Sequence, residues 1–387
     1  MNDNLFLIKI SSKKYLIITI LALVLFLEFL NKVGFIYNLS RFTISSIFKL
    51  SFIVFSIFLI LKNKANKKRL WVLISFCILL FINIVIYQKD LTTHFFVYGT
   101  RYLYFIFIIA FVDQYNNLSL ERLLKSLDFI LMCNSIFIVL GLAFQIELFS
   151  TYHQNRFGYN GMLNVVSDTN YLYCLYALFS IFHYRLKTTI FKIITIFILL
   201  ISLLTGTKTV IIGSLIALFY ISFFYERRLL VLYCILILTA LYFRELIYSK
   251  FQRTAEIFKN LYAEQGLLSS ITSTRFYNLN NTIDVYQNDT NFLNMLFHNI
   301  SFIQLRVEME LFDILIFWGF IGSAFYFFSF YYLNRPFVFP NMKNKIVFVS
   351  ILFISFFAGK FLTNFIALYV MYIYFSTQYV NCSELNS

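Results

Sequence analysis

Seven residues have the side-chain type and setting to do chemistry. Four are cations, Arg101, Arg156, Lys208 and Arg275, and three could accept a proton, Glu308, His298 and Asp313. A guanidinium presents a rigid fork of donors that matches paired anionic oxygens, whereas an ammonium is a compact point charge. A carboxylate or imidazole within hydrogen-bond reach can take a proton from a hydroxyl. The set therefore suits anion binding beside proton transfer. Each residue also has a plainer use. Arg156 could bind lipid headgroups, Arg275 could cap or salt-bridge a loop helix, and Lys208 could snorkel to an interface. Glu308 and Asp313 border an apolar run, where interfacial carboxylates are common, and His298 could be an ordinary loop residue. Arg101 is harder to explain away. It lies in the apolar run from Tyr98 to Val112, where a central Arg costs roughly 2.5–3.5 kcal/mol on insertion scales. It should line a polar cavity or pair with Glu28, Glu147 or Asp168. No metal or cofactor is expected: the histidines (His94, His153, His183, His298) lack ligand spacing, no cysteines form a CxxC pair, and no DxD triplet occurs.

The elements that must position these residues are apolar helices. The 387-residue chain is 60% hydrophobic and only 13% charged, with a mean hydropathy of +0.77. Soluble domains carry about twice that share of charge, so an ordinary cytosolic enzyme is excluded. Windows of apolar content give spans near 15–30, 43–61, 70–87, 94–112, 127–149, 166–183, 189–205, 208–224, 229–243, 311–333, 346–358 and 361–379. The expectation is an all-α polytopic integral membrane protein with about twelve transmembrane helices. It forms a single membrane domain over 1–387, with one large external loop, 244–310, between spans 9 and 10. Within that loop, Arg253–Leu261 and Arg275–Tyr286 carry apolar residues at helical spacing. The second segment places Phe276, Leu279, Ile283 and Tyr286 on one stripe, which predicts short helices.

The formal charge of +14 does not signal nucleic acid. Lys and Arg cluster between apolar runs, which is how cytoplasmic loops are marked. With the N-terminus inside, alternate loops from the Lys9–Lys14 region to Arg335–Lys345 collect 17 basic residues. The short opposite loops hold six: Lys32, Arg41, Lys89, Arg156, Lys208 and Lys360. That asymmetry predicts an even span count with both termini cytoplasmic. The first run lacks a small-residue cleavage site and reads as a span. No internal repeat is visible, which weakens a transporter reading.

Several short motifs follow one another along the chain. They are Arg156-Phe157-Gly158, Asp168-Thr169-Asn170, the turn Leu204-Thr205-Gly206-Thr207-Lys208-Thr209, and Ser273-Thr274-Arg275 opening the long loop. His298-Asn299 and Glu308-x-Glu310-x-x-Asp313 then close it, ahead of Trp318-Gly319-Phe320-Ile321-Gly322. In this order and layout the chain resembles the Wzy-type polysaccharide polymerases and their relatives, the O-antigen ligases. It departs from the family pattern in having Lys208 where Arg is common, and in lacking a Gly-rich stretch after the long-loop Arg.

The resemblance implies a multi-pass glycosyltransferase of the bacterial cytoplasmic membrane. Its donor would be a sugar chain on undecaprenyl pyrophosphate, and its acceptor a hydroxyl of another lipid-linked repeat unit. On this reading Arg156, Arg275, Lys208 and Arg101 hold the pyrophosphate. Glu308, His298 or Asp313 activates the acceptor, in an inverting, metal-independent transfer on the outer face. Membrane lipid, a chain-length regulator and a flippase would be its partners. Gly319 and Gly322 would allow close helix packing. The rivals are a ligase of the same fold, a flippase for the same lipid-linked unit, and an assembly scaffold that tolerates loss of every candidate charge.

Overall fold

A computed structural model describes residues 2–37, 44–63, 66–87, 93–116, 118–152, 157–229, 242, 244–289, 296 and 307–384. Among these residues the chain is all-helical, with one isolated bridge between Ser150 and Tyr159. The first six helices are α1 (Asn2–Ile36), α2 (Ile44–Lys62), α3 (Lys67–Tyr87), α4 (Thr93–Tyr102), α5 (Tyr104–Tyr115) and α6 (Leu120–Phe144). Then come α7 (Val166–His183), α8 (Thr189–Ser202), α9 (Lys208–Phe224), α10 (Arg244–Thr272) and α11 (Arg275–Asp289). The last three are α12 (Glu310–Val338), α13 (Met342–Ala358) and α14 (Phe365–Glu384). Among the described residues, four helices are long and apolar enough to cross a membrane, or five if the bent pair α4–α5 counts as one. The expected span near 229–243 lies almost wholly outside the described residues.

The chain divides into two compact units, Met1–Phe48 with Asn117–Asn260 and Lys49–Asn116 with Leu261–Ser387. Both expose large apolar side chains and bury several polar ones. In the first unit Phe129 and Phe144 are each 71% exposed, while Lys32, Asp128, Ser202 and Thr205 are buried. In the second, Phe328 and Phe353 are about two-thirds exposed, while Glu310, Asp313, Ser323 and Asn344 are buried. Large apolar side chains facing outward, over a mainly apolar core that also holds polar groups, is the arrangement that hydrocarbon surroundings favour.

In the first unit α6, α7, α8 and α9 alternate in direction, as their end contacts show. At one end Lys187 donates to Asp128 at 2.6 Å, and Arg185 lies over the Tyr225 ring. At the other, Thr151 Oγ1 donates to the Thr205 carbonyl at 3.0 Å. The basic residues of α6's start and α7's end therefore gather at one end, and the Thr205-Gly206-Thr207 turn sits at the opposite one. The second unit repeats this logic. Arg69 pairs with Asp113, and Asn341 bonds Gln378 at 3.2 Å, at its basic end. Glu310 meets Phe361 at the other.

The core of the second unit is formed by α5 and α14. All residues from Tyr104 to Val112 are buried, as are those from Phe365 to Gln378. A helix apolar on every side belongs in an interior, and these two qualify.

Three expectations about the elements are corrected. The run around Arg101 is not one continuous helix, since α4 and α5 meet at a 44° bend. There Leu103 N–H turns back to the Thr100 carbonyl, and Tyr326 Oη–H donates 3.1 Å to the carbonyl of Tyr102. Gly319 does more than let helices approach. Its backbone (φ 68°, ψ −178°) breaks α12, and Ser323 Oγ–H satisfies the Ile314 carbonyl at 3.0 Å. The stripe on α11 is also displaced. Leu279 and Thr282 are buried, whereas Ile283 is exposed. Thr282 can take the buried position because its hydroxyl donates to the Asn278 carbonyl at 2.7 Å.

Candidate functional site

The second unit gathers charge where α11, α12 and α13 begin or end. Asp313, in the first turn of α12, accepts from the backbone N–H of Val307 at 3.0 Å and of Glu308 at 3.2 Å. Being buried and so engaged, it fixes the approach to the helix. Glu310, also buried, accepts the Phe361 N–H at 2.6 Å and ties α12 to the turn before α14. These two carboxylates hold Glu308 and Lys360 side by side. Glu308 Oε1 accepts from Lys360 Nζ at 2.6 Å, and its Oε2 lies 3.9 Å from Arg275 Nη2. The three side chains are 24–39% exposed, so the cluster opens to its surroundings rather than being sealed in.

Backbone strain marks the same place. Five non-glycine residues with positive φ occur among the described residues, and four of them are here: Ser273, Thr274, Glu308 and Lys360. A left-handed conformation costs a residue bearing a Cβ roughly 1–2 kcal/mol. Strain at this density persists only where the surroundings impose it, and it collects at functional sites. Gly359 (φ 62°) lies so close to Glu308 that a Cβ would run into the Glu308 carbonyl. Arg275, first residue of α11, spends Nη1 on the Phe357 carbonyl at 3.1 Å, near the end of α13. Among the described residues its buried Nε has no hydrogen-bond partner. A cation at a helix N-terminus sits at the positive end of the macrodipole. Arg275, Lys360 and the first N–H groups of α11 thus all add positive character to one spot.

The first unit brings two of the sequence motifs together. Gly158 (φ 151°) and Gly206 (φ 70°) pack backbone to backbone, Tyr159 N–H donates to Leu204 O at 3.0 Å, and Thr151 N–H donates to Gly158 O at 2.9 Å. A Cβ on either glycine would strike the opposing strand of backbone, so close approach is what both glycines provide. Lys208 begins α9 with its ammonium 4.0 Å from the centroid of the Phe258 ring, a cation–π contact. The segment before α7 is anchored from beneath by Lys32. That ammonium is 3% exposed and donates to Asn160 Oδ1 at 2.5 Å and Gly161 O at 2.8 Å. Asn134 completes the seat, accepting the Met162 N–H at 2.8 Å and donating to Tyr173 at 3.0 Å.

The expected site residues therefore separate. Arg275, Glu308 and Asp313 come together in the second unit, and Arg101 belongs to that unit, at the α4–α5 bend with its guanidinium 5.3 Å from the Tyr98 ring. Lys208 belongs to the first unit. Arg156 and His298 lie outside the described residues. Two participants were missed by sequence reasoning, which counted Lys32 and Lys360 only as loop charges. Lys360 follows Gly359 after a hydrophobic helix, a helix-end signal that could have flagged a constrained position. Nothing in the pattern around Lys32 could have announced its burial.

Compared with family models, curated proteins and solved structures, the chain matches none.

Proposed function

We propose that this chain is an integral-membrane polymerase of undecaprenyl-pyrophosphate-linked oligosaccharide repeat units. One observation carries the reading: Arg275 and Lys360 converge on Glu308 in a setting of strained backbone. Two fixed cations beside a carboxylate are what an inverting glycosyl transfer from a lipid pyrophosphate requires. The acceptor hydroxyl oxygen attacks the anomeric carbon as Glu308 takes its proton. The anomeric C–O bond breaks, and its electron pair leaves on the pyrophosphate, whose charge the cations meet. Preorganised donors of this kind contribute on the order of 3–4 kcal/mol each in other enzymes. Asp313 keeps Glu308 in position.

The positive-inside rule, applied to each unit by its own basic end, supports an outer-face location for the cluster. It also supports twelve spans, cytoplasmic termini and a long external segment over 244–310. The organism would be bacterial and the membrane the cytoplasmic one. A ligase would use the same cluster to move finished glycan to another acceptor, and a flippase would depend on Arg101 more than on Arg275.

The test is the size of surface and lipid-linked glycan in cells with the gene deleted, restored, or restored as Arg275→Ala. Collapse from long chains to single outer-face repeats on deletion, and in the variant at normal protein level, is the expected result. Long chains retained on the lipid carrier would indicate a ligase, and repeats trapped on the inner face a flippase. Unchanged glycan in every strain would sink the reading.

A further inference from the structure

The geometry points to Glu308 as a resident counter-ion that a phosphate group displaces from Arg275 and Lys360, freeing the carboxylate for proton transfer. This rests on the polymerase reading and deepens it.

The pairing around Glu308 is lopsided. Its carboxylate meets Lys360 at 2.6 Å but stays 3.9 Å from Arg275, beyond hydrogen-bond range. Among the described residues Arg275 donates a hydrogen bond from Nη1 alone, to Phe357. Its side-on edge, Nε–H with Nη2–H, is the edge suited to two oxygens of one anion, and among the described residues the buried Nε has no partner. An unsatisfied buried donor on a guanidinium is costly, more so than on a neutral group. A carboxylate held by Lys360 does not span both cations. A phosphate presents three or more oxygens and can take the guanidinium edge and the Lys360 ammonium together.

The same exchange settles a chemical conflict. A carboxylate oxygen that accepts from Lys360 is engaged and cannot at the same time accept an acceptor's hydroxyl proton along that direction. Once the cations turn to phosphate oxygens, the Glu308 carboxylate is released from Lys360 and can accept from an acceptor hydroxyl. The base is therefore switched on only when a donor is bound. No electrons move in the exchange itself. Proton uptake follows when the acceptor oxygen bonds to the anomeric carbon and the pyrophosphate departs.

The experiment uses the full chain in nanodiscs and measures binding calorimetrically. The probes are inorganic pyrophosphate, polyprenyl pyrophosphate, and a phosphatidylglycerol-rich against a phosphatidylcholine disc. Removing the competing charge with Glu308→Gln should tighten pyrophosphate binding about fivefold, the worth of one partly exposed ion pair. It should also abolish chain elongation in cells. Lys360→Met should weaken binding at least tenfold. Loss of binding only in the phosphatidylglycerol disc would assign the site to phosphate chemistry with lipid headgroups as competitors, and so support the displacement. Equal or weaker binding by Glu308→Gln, no effect of Lys360→Met, or no binding by the wild type would overturn it. The two readings fail separately. If glycan length depends on Arg275 while affinity ignores both variants, displacement falls and the polymerase stands. If affinities shift as expected while glycan length never changes, the anion site stands and the polymerase falls.

Discussion

Replacing Lys360 by glycine separates what this residue does for the fold from what it does for the site. Lys360 is held at φ 67°, where a residue with a Cβ pays roughly 1–2 kcal/mol and glycine nothing. Glycine in turn frees the unfolded chain, at about 0.4–1 kcal/mol. The substitution also deletes the ion pair to Glu308. With the two side chains 33% and 39% exposed, that pair is screened and contributes about 0.2–1 kcal/mol at most. These opposing contributions nearly cancel, and Lys360→Gly should unfold within about 1 kcal/mol of wild type. Lys360→Met loses the same ion pair but keeps the left-handed strain, so it should be the less stable variant by up to about 1.5 kcal/mol. On the proposed polymerase reading elongation behaves differently, because both variants lose the ammonium. Each should lower the rate by about 10²–10³, the typical effect of one preorganised donor. The assays are reversible unfolding of the purified protein in mixed micelles and the glycan ladder from cells expressing each variant at matched levels. A Met variant more stable than the Gly variant would refute the strain argument. A normal ladder from Lys360→Gly would refute the role of the cation.

Three further outcomes follow from particular contacts. Lys187 and Asp128 form a buried pair at 2.6 Å, with Tyr176 donating to the same oxygen at 2.5 Å; Asp128→Asn or Lys187→Met alone should cost about 3–5 kcal/mol, and the double variant should recover much of it, read by unfolding midpoints. Gly206→Ala would thrust a Cβ into the Phe157 carbonyl at φ 70°, so it should lower the amount of folded protein sharply, seen as loss of a monodisperse peak in detergent. Tyr326→Phe removes the hydroxyl that donates to the Tyr102 carbonyl at the α4–α5 bend and should cost about 0.5–1.5 kcal/mol, with protease cleavage near residue 103 as a second readout.

The division between what was legible and what was not follows from the range of the interactions. Apolar composition and period determined the helices, because in hydrocarbon every backbone polar group must be satisfied within its own segment. The helical run near 346–358 appears as Met342–Ala358, and those near 208–224 and 311–333 as Lys208–Phe224 and Glu310–Val338. The distribution of Lys and Arg likewise marked the end of each unit at which basic residues gather. Arg275, Glu308 and Asp313 are singled out by residue type together with the family resemblance, and the fold brings the three into one unit. Their roles are not. Asp313 and Glu308 look alike as carboxylates at the mouth of one helix. Only the fold bends the chain so that two backbone N–H groups consume Asp313 while Glu308 stays open to Lys360. Lys32 and Lys360 were invisible for the same reason: both read as loop charges, and their partners lie 128 and 52 residues away in the chain. Left-handed backbone at Ser273, Thr274, Glu308 and Lys360 has no sequence signature, because these residue types ordinarily avoid it. Local patterning selects helices through contacts three or four residues apart, but the charge cluster and its strain arise from long-range packing, which tertiary structure alone decides.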